Sequence, residues 1–341
     1  MISRLLRAKQ LLSIIAAIVL IQSCQKPYRV EKKECGEMTF SKIINLQVDS
    51  LLHSQIREFF PIGDNSYILT DGARVYKTDS TGAVVKVINN QGHGKGEYLK
   101  ICNLFSNGHN IYIWCGMSCQ LYKYDMELNY IDKYDGLHHA IQKFVVTDND
   151  TAYFLLAGGF DETIGILPLK KNSVSSYSGC YNNEDNALLI NFNSGGITLF
   201  NNQIRYVKPS EMEVWTVGKD KTWLFDDDEY YVAPVAGQLN TRTDEEILNY
   251  ILQNSTCSGL FADGNFLWLI TETGIIQQDK EGTLTYDKRY LNLCKISKSG
   301  ELISSCKYHY PVNAINYIIY QNRLHLLFIE GESYKIKQCM L

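Results

Sequence analysis

The stretch Asn110–Asp125, which reads NIYIWCGMSCQLYKYD, predicts a β-hairpin. It opens on a polar residue and places Tyr112 and Trp114 two and four positions later. An alternation of period two puts both aromatic side chains on one face of a strand. A second alternating run, QLYKYD, ends the stretch, and so we expect two antiparallel strands joined by a turn.

This pattern recurs along the chain. Strands that open on Asn or Asp, with apolar or aromatic residues two and four positions later, begin at Asn65, Asn110, Asp150, Asn202, Asn265 and Asn322. The intervals between these openers are 45, 40, 52, 63 and 57 residues. Repeats of about 40–50 residues that contain successive antiparallel strands are typical of β-propellers, in which blades packed in a ring cover each other's faces. The sequence therefore predicts an all-β fold, a six-bladed β-propeller over residues 37–341.

Three further segments refine this prediction. The strand-like segment Glu37–Val48 can pair with the last blade, which otherwise lacks an outer strand, and so close the ring. Thr241–Ser255 predicts one short inserted helix, because Thr243 and Glu246 have the spacing of a capping box. Tyr290–Ser305 can be an extra hairpin of a seventh blade or an extension of the fifth blade, and we favour the extension.

The first 23 residues predict a signal peptide. Three basic residues precede the apolar run Leu11–Ile21, which is short for a membrane-spanning helix. The run leads into IQSC, which ends at Cys24 and resembles the bacterial lipobox; an ordinary cleaved signal is the alternative. The lipobox resemblance implies that Cys24 is acylated and becomes the mature N-terminus. We expect residues 24–36 to form a polar tether, and Gln25, which is not Asp, favours the outer membrane.

Charge and cysteine usage exclude several classes of function. The chain has 33 basic and 37 acidic residues and a net charge of −4, which does not indicate nucleic-acid binding. Without Cys24, nine cysteines remain, an odd number that argues against a disulfide framework but leaves one disulfide open. Cys115 and Cys119 lack the spacing and the second ligand pair of a zinc site. We therefore expect no metal and no cofactor.

The glycine-rich stretch Asn89–Lys100, NNQGHGKGEYLK, raises the question of a phosphate site. No hydroxyl follows Gly94 and Lys95 as a Walker loop requires, and the third glycine comes too early for a dinucleotide fingerprint. We interpret the stretch as a turn between blades whose glycines take positive φ angles. The candidate channel-loop residues are Gly92, His93, Gly94, Lys95, Gly96, Glu97 and Tyr98.

The segment Gly92–Asp125 resembles the six-bladed β-propeller lipoproteins of Bacteroides and its relatives, which are distantly similar to NHL-repeat propellers. Their GxGPGEY motif reads GHGKGEY here, with Lys95 in the place of the proline. The resemblance implies a six-bladed ring, export and lipidation, and it supplies no catalytic residue. It therefore leaves the function of the ring open.

Two hypotheses for function follow. The first is a monomeric, non-catalytic binding module, tethered to the membrane, for a glycan, a peptide or a protein. The second is a metal-dependent hydrolase or lyase with its site at the central channel. The acidic run Phe225–Tyr231, FDDDEYY, could supply carboxylates for the second, but we favour a solvated turn and hence the binding module.

Overall fold

The structure is a computed structural model that describes residues 27–48, 56–63, 65–135, 137, 139–158, 161–170, 173–189, 194–235, 242–280 and 282–341. Within these residues, six sheets each contain four antiparallel strands, and two of the six carry a fifth, parallel strand at the outer edge. The innermost strands of the six sheets contact each other in a closed ring. This confirms the predicted six-bladed propeller. No helix in the described part of the chain has the length and apolar character to span a bilayer.

Three strands precede the first blade, and four strands build each blade. The preceding strands are β1 (Tyr28–Arg29), β2 (Lys33–Gly36) and β3 (Lys42–Leu46). Blade one contains β4 (Glu58–Pro61), β5 (Tyr67–Thr70), β6 (Val75–Thr78) and β7 (Val84–Ile88). Blade two contains β8 (Ile101–Ser106), β9 (Asn110–Cys115), β10 (Gln120–Asp125) and β11 (Tyr130–Asp135). Blade three contains β12 (Ile141–Thr147), β13 (Thr151–Leu156), β14 (Ile164–Pro168) and β15 (Ser176–Ser178).

The second half of the ring carries the insertions. Blade four contains β16 (Gly196–Phe200), β17 (Gln203–Val207), β18 (Glu213–Thr216) and β19 (Lys219–Asp226). Blade five contains β20 (Thr256–Asp263), β21 (Phe266–Gly274), β24 (Arg289–Ile296) and β25 (Leu302–His309), with a separate ribbon of β22 (Gln277–Gln278) and β23 (Leu284–Thr285). Blade six contains β26 (Ala314–Tyr320), β27 (Arg323–Glu330), β28 (Ser333–Met340) and the N-terminal β3. The extension of the fifth blade over Tyr290–Ser305 is therefore confirmed.

The polar openers mark the turn from the first to the second strand of each blade. Asn65, Asp150, Asn202 and Asn322 have φ angles of 64°, 54°, 57° and 56°. Asn and Asp tolerate this left-handed region better than other non-glycine residues. Before Asn110 and Asn265 the positive φ falls instead on Gly108 and Gly264, at 86° and 58°. A left-handed residue in the turn, rather than the opener itself, is therefore the backbone requirement of the repeated hairpin.

The predicted closing strand lies in place. β3 pairs antiparallel with β28, with Ile44 opposite Ile336. Ile44 is buried in a cluster that also contains Phe59 and Tyr67 of the first blade. The strand thus joins the sixth blade to the first and covers the edge that β28 would otherwise expose.

Two helices interrupt the strands, α1 (Asn183–Leu188) and α2 (Asp244–Gln253). In α2 the predicted capping box is present, since the Thr243 side chain accepts from the Glu246 amide and the Glu246 side chain accepts from the Thr243 amide. Helix α1 was not predicted from the sequence; it has only six residues and its own capping box from Asn182 and Asp185. Leu188 of α1 and Tyr250 of α2 are buried in one small cluster.

The N-terminal segment corrects the expectation of a free polar tether. β1 pairs parallel with β19, the outer strand of blade four, and β2 pairs parallel with β25, the outer strand of blade five. Residues 28–36 are therefore docked on the rim of the ring.

The acidic run Phe225–Tyr231 holds this segment. Lys32 lies 2.7 Å from Asp227 and 3.0 Å from Glu229, and its side chain is nearly buried. Arg29 pairs with Asp228 at 2.9 Å on the surface. The carboxylates thus bind the basic N-terminal segment, which corrects their interpretation as a solvated turn.

Candidate functional site: the central channel

The innermost strands of all six blades enclose a cavity of about 540 Å³ on the axis of the ring. This volume lies within the range of ligand pockets, which is about 300–1,000 Å³. Its lining consists of an apolar wall and a set of polar side chains, which we call the polar group: Glu58, Asn103, Lys143 and Asn316. We treat this cavity as the candidate site.

Glu58 on β4 is the carboxylate of the polar group. It accepts a hydrogen bond of 3.0 Å from the Asn316 side-chain amide on β26, which joins the first and sixth blades. Burial raises the pKa of Glu58 to about 7, against the opposing effects of the positive charge on Lys143 and the hydrogen bond from Asn316. The side chain lines the cavity and is partly exposed there, yet protein surrounds it deeply enough to disfavour its charge.

Lys143 on β12 is the cation of the polar group. Its ammonium donates to the carbonyl oxygens of Gly195 at 2.8 Å and Ser258 at 2.7 Å, so it links the third blade to the fourth and fifth. Burial lowers the pKa of Lys143 to about 8, although the negative charges of Glu58 and Glu272 oppose this shift. The pKa values of Glu58 and Lys143 therefore both lie close to neutral pH.

Asn103 on β8 offers an acceptor that nothing in the described residues uses. Its side-chain amide donates to the carbonyl oxygen of Gln142 at 2.7 Å, while its Oδ1 atom has no hydrogen-bond partner among those residues. Asn103 is only 9% exposed. A buried acceptor without a partner costs free energy, and this one is enclosed by protein at the wall of the cavity.

Aromatic and aliphatic side chains form the apolar wall. The partly exposed members of this wall are Phe60, Phe105, Leu199, Phe261, Ile318 and Tyr320. The rings of Phe60 and Phe105 meet edge to face, with centroids 5.4 Å apart. A polar group beside an aromatic wall can hold a small ligand that has both hydrogen-bonding groups and an apolar face.

The glycine loop lies elsewhere. None of the residues Gly92–Tyr98 lines the cavity, which corrects their assignment to the channel. The loop joins the outer strand of blade one to the inner strand of blade two, as predicted, and Tyr98 is fully buried between the two blades. The Tyr98 hydroxyl donates to the carbonyl oxygen of Ile88 at 3.2 Å, and burial raises the pKa of Tyr98 to about 12. The loop therefore acts as a wedge between blades.

The φ angles of the loop glycines only partly follow the prediction. Gly92 and Gly96 take φ angles of 156° and 76°, whereas Gly94 does not have a positive φ. The Gly94 amide instead donates to the Glu97 carboxylate at 2.7 Å. His93 and Lys95 are exposed, as predicted.

We expect Gly96→Val to lower the free energy of unfolding by about 1–3 kcal/mol, because its backbone is strained for any other residue. A Cβ atom at Gly96 would also lie 3.0 Å from the ring of Tyr130. Gly94→Val should cost less, since the only close contact there is the flexible Glu97 carboxylate. Urea unfolding measures both, with the exposed Lys95→Ala as the control. Equal stability of Gly96→Val and wild type would contradict the role of the loop as a wedge.

No group of three or more His, Cys, Asp or Glu side chains in the described residues is arranged to hold a metal ion. Cys115 is fully buried, and its sulfur accepts from the backbone amides of Leu99 and Lys100. Its surroundings are thus those of a small core residue at the junction of blades one and two. Glu58, Asn103, Lys143 and Asn316 were not among the residues predicted from the sequence.

Comparison with known proteins agrees with this architecture. A family model described as a 6-bladed beta-propeller matches residues 31–295 of the chain. The chain belongs to this family of six-bladed β-propellers. Among curated proteins, none matches its sequence.

Solved structures resemble this six-bladed propeller over most of its length. A Bacteroides fragilis protein described as exported shares 12% identity, with a TM-score of 0.59, over 93% of this chain and 100% of its own. A member of the DUF4221 family from Bacteroides vulgatus shares 9% identity, with a TM-score of 0.65, over 89% of this chain and 97% of its own. A streptogramin B lyase shares 12% identity, with a TM-score of 0.50, over 88% of this chain and 99% of its own. At such identities the likeness shows the fold alone.

Proposed function

We propose that this propeller is an exported, non-catalytic binding module whose central cavity takes one or two residues of a glycan or a peptide chain. The observation that carries the proposal is the cavity itself, of about 540 Å³, with the hydrogen-bonded Glu58 and Asn316 side chains beside an aromatic wall. Sugar hydroxyls and peptide amides are donors that suit the partly exposed Glu58 carboxyl group. A protein partner would enter only by a chain end, because a folded domain exceeds this volume.

The polar group gives the cavity a charge that changes with pH. Below about pH 7, Glu58 is protonated and Lys143 is charged, so the pair is positive. Above about pH 8, Glu58 is ionised and Lys143 is neutral, so the pair is negative. A ligand with a carboxylate should therefore bind more tightly at pH 6 than at pH 9, and a ligand with an amine should do the reverse.

The test is a screen of oligosaccharides and short peptides against the purified chain, followed by calorimetric titration at both pH values. Glu58→Gln and Phe105→Leu should weaken the binding of a hit by roughly tenfold to a hundredfold, which corresponds to about 1.5–3 kcal/mol. Lys95→Ala, on the exposed loop outside the cavity, is the matched control and should bind as wild type does. Unchanged affinity in both cavity variants would place the ligand elsewhere.

One observation favours an enzyme as the second candidate. Glu58 and Lys143 have pKa values of about 7 and 8, which suit general acid–base chemistry without a metal ion. The same titrations separate the two functions, because an enzyme would convert its bound ligand. Conversion by wild type that is lost in Glu58→Gln, with binding retained, would favour catalysis.

The proposal includes a lipid anchor at Cys24, which lies outside the described residues. Tyr28, the first paired residue, is four positions further along. Four extended residues span at most about 14 Å. An anchor at Cys24 would therefore hold the rim of blade four close to the membrane, with little of the freedom that a tether of thirteen residues would give.

Cys24→Ser should abolish incorporation of a labelled fatty acid and move the protein from the detergent phase to the aqueous phase in a partitioning assay. The physical reason is that Cys24 would carry the acyl chains. Without them, the mature chain has no stable attachment to the membrane. Cys35→Ser is the control and should remain lipidated. Lipid on the Cys24→Ser protein would refute the anchor.

A further inference from the structure

Two cysteine side chains lie together where the N-terminal segment joins the fifth blade. In the parallel pair of β2 and β25, Lys33 lies opposite Cys306 and Glu34 lies opposite Lys307. The register then shifts, so that Cys35 is an extra residue before Gly36 pairs with Tyr308. This bulge interrupts the regular alternation of side chains, and the Cys35 side chain lies within hydrogen-bonding reach of the Cys306 side chain.

The two side chains interact. Burial, and then interaction with the Cys35 side chain, raises the pKa of Cys306. Both thiols are free and partly exposed, so an oxidant can reach them. Neighbouring strands lie about 4.8 Å apart. Cys35 lies beyond the position opposite Cys306, so its Cα atom is further from that of Cys306 than this spacing, towards the upper end of the Cα separations of about 4.4–6.8 Å that disulfides span.

A third thiol, that of Cys339, is the competing partner. Cys339 lies on β28 of the sixth blade and is 5% exposed, and its pKa is raised by burial and then by Cys35. Its sulfur donates to the carbonyl oxygen of Met340 at 3.5 Å. Cys306, by contrast, lies on the strand that pairs with β2 and is more exposed. The backbone pairing therefore favours Cys306 over Cys339.

We propose that Cys35 and Cys306 form a disulfide bond in an oxidising compartment, and that this bond fastens the N-terminal segment to the fifth blade. The oxidant is a disulfide, either on a thiol–disulfide oxidoreductase or in oxidised glutathione. The thiolate of one cysteine attacks this disulfide, forms a mixed disulfide and releases one thiolate. The second cysteine thiolate then attacks the protein sulfur of the mixed disulfide and releases the other thiolate. The protein loses two electrons and two protons, and the oxidant becomes two thiols.

Such a bond would reinforce the closure of the ring. Its place in the chain is just before β3, so it would hold the segment that leads into the closing strand. In the chain-entropy account a crosslink between distant residues restricts the unfolded chain, and Cys35 and Cys306 are far apart in sequence. The bond should therefore raise the melting temperature of the protein.

The experiment uses the full chain, purified in detergent and incubated with oxidised or reduced glutathione. Free thiols are then alkylated and the protein is digested with trypsin. Cys35, Cys306 and Cys339 fall on the separate tryptic peptides 34–42, 299–307 and 338–341, so mass spectrometry identifies the pair. We expect a crosslinked 34–42/299–307 species after oxidation, and its loss in Cys35→Ser. Cys102→Ser, which removes an exposed thiol on β8, is the matched control and should retain the crosslink.

The melting temperature provides a second readout. Reduction should lower it for wild type and Cys102→Ser and leave it unchanged for Cys35→Ser. Alkylation of both Cys35 and Cys306 after oxidation would overturn the proposal, as would a crosslink between 34–42 and 338–341. Because oxidised glutathione acts on the purified protein, neither outcome depends on export or on a ligand in the cavity.

Discussion

Replacing Ile44 by aspartate should lower the free energy of unfolding by about 4 kcal/mol or more, because a carboxylate would replace a buried aliphatic side chain. Ile44 is 3% exposed and packs in the cluster that joins the sixth blade to the first. The backbone of β3 is also fixed on its other side, where the amide of Gln47 donates to the carbonyl oxygen of Gly82 at 2.9 Å. Loss of this strand would expose the edge of β28 and the flank of blade one together.

The neighbouring residue provides the matched control. Ile43 lies on the same strand and is 54% exposed. Ile43→Asp should change the stability by no more than about 0.5 kcal/mol, since it leaves the pairing and the core unchanged. Urea unfolding followed by tryptophan fluorescence and circular dichroism measures both variants. Similar midpoints for Ile44→Asp and Ile43→Asp would show that β3 does not hold the ring closed.

The ring could be predicted from sequence because its signal is local and repeated. Four of the six openers, among them Asn65 and Asn322, are favoured by the positive φ angle of their own turn, so a polar residue recurs there although the strands around it differ. The capping box of Thr243 and Glu246 is local in the same way. The closing strand Lys42–Leu46 was predictable because the last repeat lacks a fourth strand, and antiparallel pairing is what such an edge requires.

The docked N-terminal segment could not be predicted from local pattern. Residues 28–36 are polar and charged, which is the composition of a linker. Their partners, the carboxylates of Asp227, Asp228 and Glu229, lie almost 200 residues away in the sequence. Taken alone, the composition of either segment predicts a solvent-exposed stretch. Only the fold shows that the two runs have complementary charge and lie side by side.

The cavity left a faint signal in the repeat. Glu58, Asn103 and Lys143 each stand seven residues before an opener, and so do Gly195 and Ser258, whose carbonyl oxygens accept from Lys143. Aligning the repeats on their openers would have shown a polar or small residue at this position in five of the six repeats, the sixth having Ile315. Which face of that strand is inside depends on the closed ring, so the chemistry of the position became visible only with the structure.

The buried ion pair between Lys32 and Asp227 leads to the second large expected effect. Their side chains are 6% and 3% exposed, and the ammonium lies 2.7 Å from the carboxylate. Removing one partner of a buried pair leaves an uncompensated charge, which typically costs about 3–5 kcal/mol. We therefore expect Lys32→Met to be strongly destabilising. The double variant Lys32→Met/Asp227→Leu should recover most of the loss, because it removes both charges.

The surface pair of Arg29 and Asp228 is the control, since these side chains are 70% and 75% exposed. Arg29→Met should cost less than about 1 kcal/mol, because water already screens this pair.

The Lys32→Met protein has one way to relax, which is to release residues 28–36 so that water reaches Asp227. Hydrogen exchange of the amides in β1 and β2 measures that release, and urea unfolding measures the global loss. If Lys32→Met and Arg29→Met have equal stability and equal exchange, then the acidic run does not hold the N-terminal segment. If exchange in β1 and β2 rises only in Lys32→Met, while the rest of the ring keeps its protection, then residues 28–36 bind to the rim but are not needed to close the ring. In that case β3 closes the propeller by itself.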